Sequence, residues 1–181
     1  MKATVYIATS LDGFIAREDG SLDWLPGSDG SSADSGGDDF GYSAFMDSVD
    51  VLVMGRNTYE TVLSFGQWPY GEKRVVVLSS TLTEVSADIP DTVMLRSCSP
   101  TELVKELEGL GAKHLYIDGG KTIQGFLNAG LIQEIFITRI PVIIGSGIPL
   151  FGPVNSDVKL QHVETHSFAN GFVQSNYKVV G

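Results

Sequence analysis

The chain has 181 residues, 43% of them hydrophobic, enough to bury one substantial core and too few to demand a second domain. Its 22 acidic against 12 basic residues give a formal charge of −10, and with no concentrated basic patch this excludes nucleic acid and anionic membrane as natural partners. Cys98 is the single cysteine, so neither an intrachain disulfide framework nor a Cys-rich zinc site is open to it, and a reducing, cytoplasmic compartment is expected.

The opening run MKATVYIATSLDGFIA is too short and too broken by Thr, Ser and Asp to be a signal peptide or a membrane span. Thr4 to Thr9 reads as a buried strand that enters the turn-type sequence Ser10-Leu11-Asp12-Gly13 before Phe14-Ile15-Ala16 resumes apolar character. From Pro26 to Asp39 the residues are small, polar or acidic, a composition that cannot build a core and predicts a mobile surface loop of the kind that serves as a lid. A helix is predicted from Phe40 to Val49, with Phe40, Ala44, Phe45, Met46 and Val49 turned inward and Asp38 or Asp39 as its N-cap.

Val51 to Met54 is a short buried strand that stops at Gly55, and Arg56-Asn57-Thr58 opens a second helix carrying Tyr59, Val62 and Leu63. Val75 to Leu78 is another continuous apolar strand, ending in Ser79-Ser80-Thr81, and Thr92 to Leu95 is a further one. Ser99-Pro100-Thr101-Glu102 has the capping-box arrangement with proline at the first helical position, followed by the stripe Leu103, Leu107, Leu110. His114 to Ile117 is a strand ending in Asp118-Gly119-Gly120, and Lys121 to Asn128 a helix with Ile123, Phe126 and Leu127 on one face. Ile135 to Ile144 supplies one more strand, and Lys159 to Val180 is split by Asn170-Gly171, a favoured pair for a tight hairpin turn. The fold class is therefore α/β: a mostly parallel central sheet covered by helices, with an antiparallel C-terminal hairpin, in a single domain over 1–181.

Three strand ends share one design, in which apolar residues give way to Gly, Ser or Thr where a helix or turn begins: Gly55 to Thr58, Ser79 to Thr81, and Gly119 to Thr122. In a parallel sheet these ends lie on the same edge, where open α/β sheets bind ligands, and free N–H groups at two helix starts suit a diphosphate. Any one cluster is explained as well by a turn; the three together point to a dinucleotide.

These residues also carry a resemblance. Ile7 to Gly13, Val53 to Tyr59, Asp118-Gly119-Gly120 and Pro141 to Phe151 occur in the order found in the dihydrofolate reductase superfamily, and the chain most resembles the C-terminal reductase domain of the riboflavin-biosynthesis deaminase-reductase and its stand-alone relatives. The resemblance implies a dihydrofolate-reductase-like fold and NADPH lying across the sheet edge. Ala8 and Ile15 would then sit near the nicotinamide, with Gly55, Arg56, Asn57 and Thr58 at the phosphates. Ser79, Ser80 and Thr81 would lie at the adenosine and its 2′-phosphate, and Gly119, Gly120, Lys121, Thr122 and Ile123 would wrap the diphosphate. It also implies a cis peptide between Gly119 and Gly120.

On the substrate side it places the proton-assisting acid at Asp39, for which a plain helix cap is the competing reading, and a tryptophan-containing loop at Trp24-Leu25-Pro26. Asp12, Trp24, Phe40 and Thr138 are the substrate-side candidates, although Asp12 with Gly13 also makes sense as a turn and Thr138 as a structural strand residue. His162 and His166, on one face of a strand, are roughly 13 Å apart and too distant to share a metal. The implied activity is NADPH-dependent hydride transfer to a pyrimidine- or pteridine-like heterocycle, in a homodimer. Dihydrofolate reduction and a non-catalytic NADPH-binding module are the alternatives. A phosphorylated ribosylaminopyrimidine would need cations at the substrate end, where only Arg17 and Arg139 offer themselves, and the zinc signature of the partner deaminase, H-x-E with P-C-x-x-C, is absent.

Overall fold

The computed structural model describes residues 1–28 and 38–181. The strands are β1 (Lys2–Ser10), β2 (Phe14–Ala16), β3 (Val51–Gly55), β4 (Arg74–Leu78), β5 (Val93–Arg96), β6 (His114–Asp118), β7 (Glu134–Ile140), β8 (Ile148–Pro149), β9 (Lys159–Ser167) and β10 (Val173–Val180). The helices are α1 (Tyr42–Ser48), α2 (Arg56–Ser64), α3 (Pro100–Gly109) and α4 (Gly120–Asn128). Eight strands form one sheet in the order β5-β4-β3-β6-β1-β7-β10-β9, and β2 pairs with β8 in a small ribbon. Pairing is parallel from β5 through β7, and β10 then runs antiparallel to both β7 and β9.

The continuous apolar runs of the central strands follow from burial on both faces. In β3, Val51 and Val53 enter one cluster and Leu52 and Met54 the other; in β6, Leu115 and Ile117 oppose Tyr116. Leu103 and Leu107 of α3 and Ile123, Phe126 and Leu127 of α4 cover the first face. Tyr59 of α2, with Phe45 and Met46 of α1, covers the second. Because each successive strand is parallel, the ends of β1, β3, β4 and β6 all reach one edge, and α2 and α4 start there. No helix among the described residues is long and apolar enough to cross a membrane.

The capping box of α3 is present: Ser99 Oγ accepts from Glu102 N–H at 3.3 Å and the Glu102 carboxylate accepts from Ser99 N–H at 2.8 Å. Three expectations are corrected, and a fourth falls outside the described residues. The first helix begins at Tyr42 rather than Phe40, with Gly41 at the N-cap position; Phe40 has φ 57°, outside helical geometry, and Ala44 is exposed. The strand predicted to run to Ile144 stops at Ile140, because Pro141 has no N–H to continue a ladder. No peptide bond among the described residues is cis, so Gly119–Gly120 is trans; Gly119 redirects the chain into α4 through φ 91° instead. Much of the loop predicted as a lid falls in 29–37, outside the described residues.

Candidate functional site

The strand ends that converge on the edge surround a cavity of about 980 Å³. Gly55, Arg56, Asn57 and Thr58 line it from the start of α2, Ser79, Ser80 and Thr81 from the end of β4, and Gly119, Gly120, Lys121 and Thr122 from the start of α4. Ala8 and Ile15 lie on its wall, with Ile148 of the β2–β8 ribbon beside them. Thirteen of the fourteen residues expected to hold a dinucleotide are thus brought together by the topology of the parallel sheet. The exception is Ile123, which is fully buried in the core, and its N–H donates to Gly119 C=O at 2.9 Å as part of the first helical turn.

Two of the helices that open on the cavity differ from α3 in one telling respect. Neither α2 nor α4 has a side-chain cap, so the amides of their first turns face the cavity without the partner that Ser99 supplies elsewhere. The two starts are also packed tightly against each other. A Cβ built on Gly55 would lie 2.8 Å from Thr122 Oγ1, and one on Gly119 would lie 2.5 Å from Thr58 Oγ1. Glycine at both positions lets the two N-termini approach closely enough to act on one anion.

Arg56 spans the mouth, donating from Nε to Glu60 at 2.7 Å and from Nη1 to Thr81 Oγ1 at 3.0 Å. The β4 turn is held by Ser79 Oγ, which accepts from the N–H groups of Thr81 and Leu82 at 3.2 and 3.0 Å. Lys121 adds a second cation at the start of α4.

Elsewhere the lining changes. Leu22, Leu25, Phe65 and Tyr70 are there, with Asp118 at the end of β6. Burial raises the Asp118 carboxyl to about 6, although the N–H of Gly119 donates to it at 2.8 Å. Burial, with Asp118 nearby, in turn pushes the Tyr42 phenol up to about 12 and Tyr70 well above its usual range. Asp118 was legible as part of a motif, and a carboxylate between an apolar strand and two glycines at a ligand-binding edge is the signal for it. Tyr70, Leu22 and Leu25 carry no local signal, since only the fold brings their loops to the edge.

The expected substrate-side residues lie outside this lining. Asp39 is exposed, and its carboxylate accepts from the N–H groups of Gly41 and Ser43 at 3.0 and 3.1 Å, which holds its pKa below the usual carboxylate range. Both bonds hold the turn that enters α1, two residues ahead of its N-cap Gly41. Asp12 bridges loops: it accepts from Ser10 Oγ at 2.6 Å and from the N–H groups of Ile144 and Gly145 at 3.2 and 2.8 Å, and the Ser10 bond first among these lowers its pKa. Trp24 is buried against Ile140 and Phe172. Phe40 stacks on Phe172, and its C=O accepts from Tyr6 Oη and from Gln174 Nε2. Thr138 is buried with Oγ1 accepting from the same Gln174 amide at 3.0 Å. Trp24 and Phe40 thus pack in the cluster behind Ala8 and Leu25 rather than on the cavity surface.

Comparison with known proteins agrees with the fold. Residues 2–174 match the model of the RibD C-terminal domain. The uncharacterized protein YwjB of Bacillus subtilis is 35% identical over 178 residues, 97% of each chain. A solved structure from Shewanella sp. PV-4, named for riboflavin biosynthesis, is 42% identical over the whole of both chains with a TM-score of 0.91. The Thermotoga maritima diaminohydroxyphosphoribosylaminopyrimidine deaminase/5-amino-6-(5-phosphoribosylamino)uracil reductase shares the fold at 19% identity and a TM-score of 0.71, this chain spanning 56% of its length. The chain belongs to the RibD C-terminal domain family.

Proposed function

We infer that the protein is an NADPH-dependent reductase of a pyrimidine- or pteridine-like heterocycle. The observation that carries this reading is the pair of uncapped, interlocked helix starts facing one cavity with Arg56 and Lys121 beside them. The fit to a dinucleotide is specific in its polarity. Amides and cations line the end where phosphates would lie, and apolar Ile7, Ala8 and Ile15 line the wall where a nicotinamide ring would pack.

Bound NADPH would supply a hydride to the carbon of a C=N bond. The α2 and α4 amides, with Lys121, would hold the diphosphate, and Arg56 with the Ser79–Thr81 turn would meet the 2′-phosphate. Leu22, Leu25 and Phe65 would exclude water from the reacting face. The nitrogen left after hydride transfer needs a proton. Asp118 is the better donor than Asp39, because its carboxyl keeps a protonated fraction near neutral pH while that of Asp39 does not. A homodimer formed along β9, whose residues are all exposed, and a cytoplasmic location complete the proposal.

The test is a titration with NADPH followed by measurement of its oxidation over a panel of reducible heterocycles that includes dihydrofolate. Saturable binding with turnover of a pyrimidine or pteridine supports the reading. Binding without any turnover would favour a sensing module, turnover with dihydrofolate alone would identify a dihydrofolate reductase, and absence of NADPH binding would overturn the reading entirely.

A further inference from the structure

The nature of the acceptor follows from where the positive charge lies, given the reductase reading above. The chain has twelve lysines and arginines. Lys2, Arg74, Lys113, Lys159 and Lys178 lie at the sheet end opposite the cavity, beside the starts of β1, β4, β6 and β9 and the end of β10. Lys73 is there too, its ammonium donating to the carbonyls of Met46 and Val49 at 2.8 and 2.7 Å. Lys105 is carried by α3, and Arg96 is tied to Glu106 at 2.8 Å.

Of the four that remain, Arg56 and Lys121 line the cavity, both at the helix starts assigned to the cofactor's phosphates. Arg17 and Arg139 do not line it. Arg17 is ion-paired with Asp23 at 2.5 Å at the surface, with Asp19 as a second acidic neighbour. Residues 29–37 contain Asp29 and Asp34 and no lysine or arginine, so that segment cannot bring a cation to the site wherever it lies. Among the described residues, the lining not assigned to the cofactor therefore presents apolar Leu22, Leu25 and Phe65, the Tyr70 phenol, and Asp118 as its one carboxylic acid.

A phosphate monoester carries roughly −1.5 to −2 charges near neutral pH and is costly to desolvate without a paired cation. We propose that the acceptor is a phosphate-free heterocycle, at the level of a free base or unphosphorylated nucleoside, and not the phosphoribosyl compound for which the Thermotoga maritima enzyme is named. Hydrogen-bonding ring nitrogens would meet Asp118 and Tyr70, and the flat ring would pack on the leucines and Phe65.

The experiment uses the full chain saturated with NADP⁺, so that the cofactor's own phosphate sites are filled, and titrates it by calorimetry with ribose 5-phosphate. No saturation is expected. In parallel, 5-amino-6-ribosylaminouracil and its 5′-phosphate are compared as substrates with NADPH, and the unphosphorylated member is expected to have the higher kcat/KM by about tenfold or more. Saturable ribose 5-phosphate binding that Arg17→Gln or Arg139→Gln abolishes would overturn the proposal, as would preference for the phosphorylated member. Where neither member of the pair turns over, the ribose 5-phosphate titration decides. Failure of NADP⁺ or NADPH to bind at the outset counts against the reductase reading instead, so the two ideas fail separately.

Discussion

Gly119 and Thr58 meet at the point where the starts of α4 and α2 come together, so closely that a Cβ on the glycine would stand 2.5 Å from the threonine Oγ1. Gly119 also has φ 91°, a conformation in which an L side chain is strained. Two independent constraints, space and backbone geometry, thus select glycine at the centre of the proposed phosphate site.

Gly119→Ala is accordingly expected to cost about 1–3 kcal/mol of stability from backbone strain and to weaken NADPH at the same time, by pushing the two helix starts apart. Adding Thr58→Ala relieves the clash but not the strain, so the double variant recovers part of the lost affinity. Thermal unfolding and NADPH titration of both variants check this. A Gly119→Ala protein that matches the parent in both would show that the close approach has no role.

Arg56 reaches Thr81 across the mouth of the cavity. If its guanidinium meets the 2′-phosphate, Arg56→Gln weakens NADPH by roughly tenfold or more and leaves NADH nearly unchanged. Equal losses for the two nucleotides would move the arginine to the diphosphate.

The Asp118 carboxyl, raised to about 6, binds its proton more tightly in the folded chain than in the unfolded one, where an aspartate titrates near about 4. Its ionisation therefore opposes folding. The stability it affects is highest below about pH 4, falls as pH rises to about 6, and is flat above that. Asp118→Asn should stabilise the protein by ~1–3 kcal/mol at pH 8, have little effect near pH 4, and lower turnover at every pH. Denaturant unfolding at the two pH values, with steady-state rates, measures all three. A stability difference independent of pH would show that Asp118 is ordinarily solvated.

Asp39 shows the opposite sign. Hydrogen bonds from Gly41 and Ser43 hold its pKa down, so its contribution to α1 is present above its unfolded pKa and lost as pH falls. Asp39→Ala should lower the melting temperature slightly near neutral pH and leave kcat with NADPH close to the parent value, the result for a residue that only steadies the entry to α1. Loss of most of the turnover, with the fold intact, would restore the proton donor role to Asp39.

Much of the framework was legible in the order of the residues. The runs Val51 to Met54, Val75 to Leu78 and His114 to Ile117 are apolar on both faces, which only a covered parallel sheet satisfies, and glycine or serine after each run marks the ligand-binding edge. Ser99 to Glu102 specifies the start of α3 through local hydrogen bonds, and local chemistry is what a sequence states most directly. The part of the cavity proposed for the dinucleotide belongs to the same category, because its residues lie next to the strand ends that the pattern defines. The acceptor half does not. Tyr70 comes from the connection after α2, Leu22 and Leu25 from the connection after β2, and Asp118 from the central β6, so their meeting depends on long-range packing with no counterpart in local spacing. The protonation states of Asp39 and Asp118 were decided there as well: side chains of the same chemistry part company because one accepts backbone N–H bonds in solvent and the other is desolvated at the end of a strand.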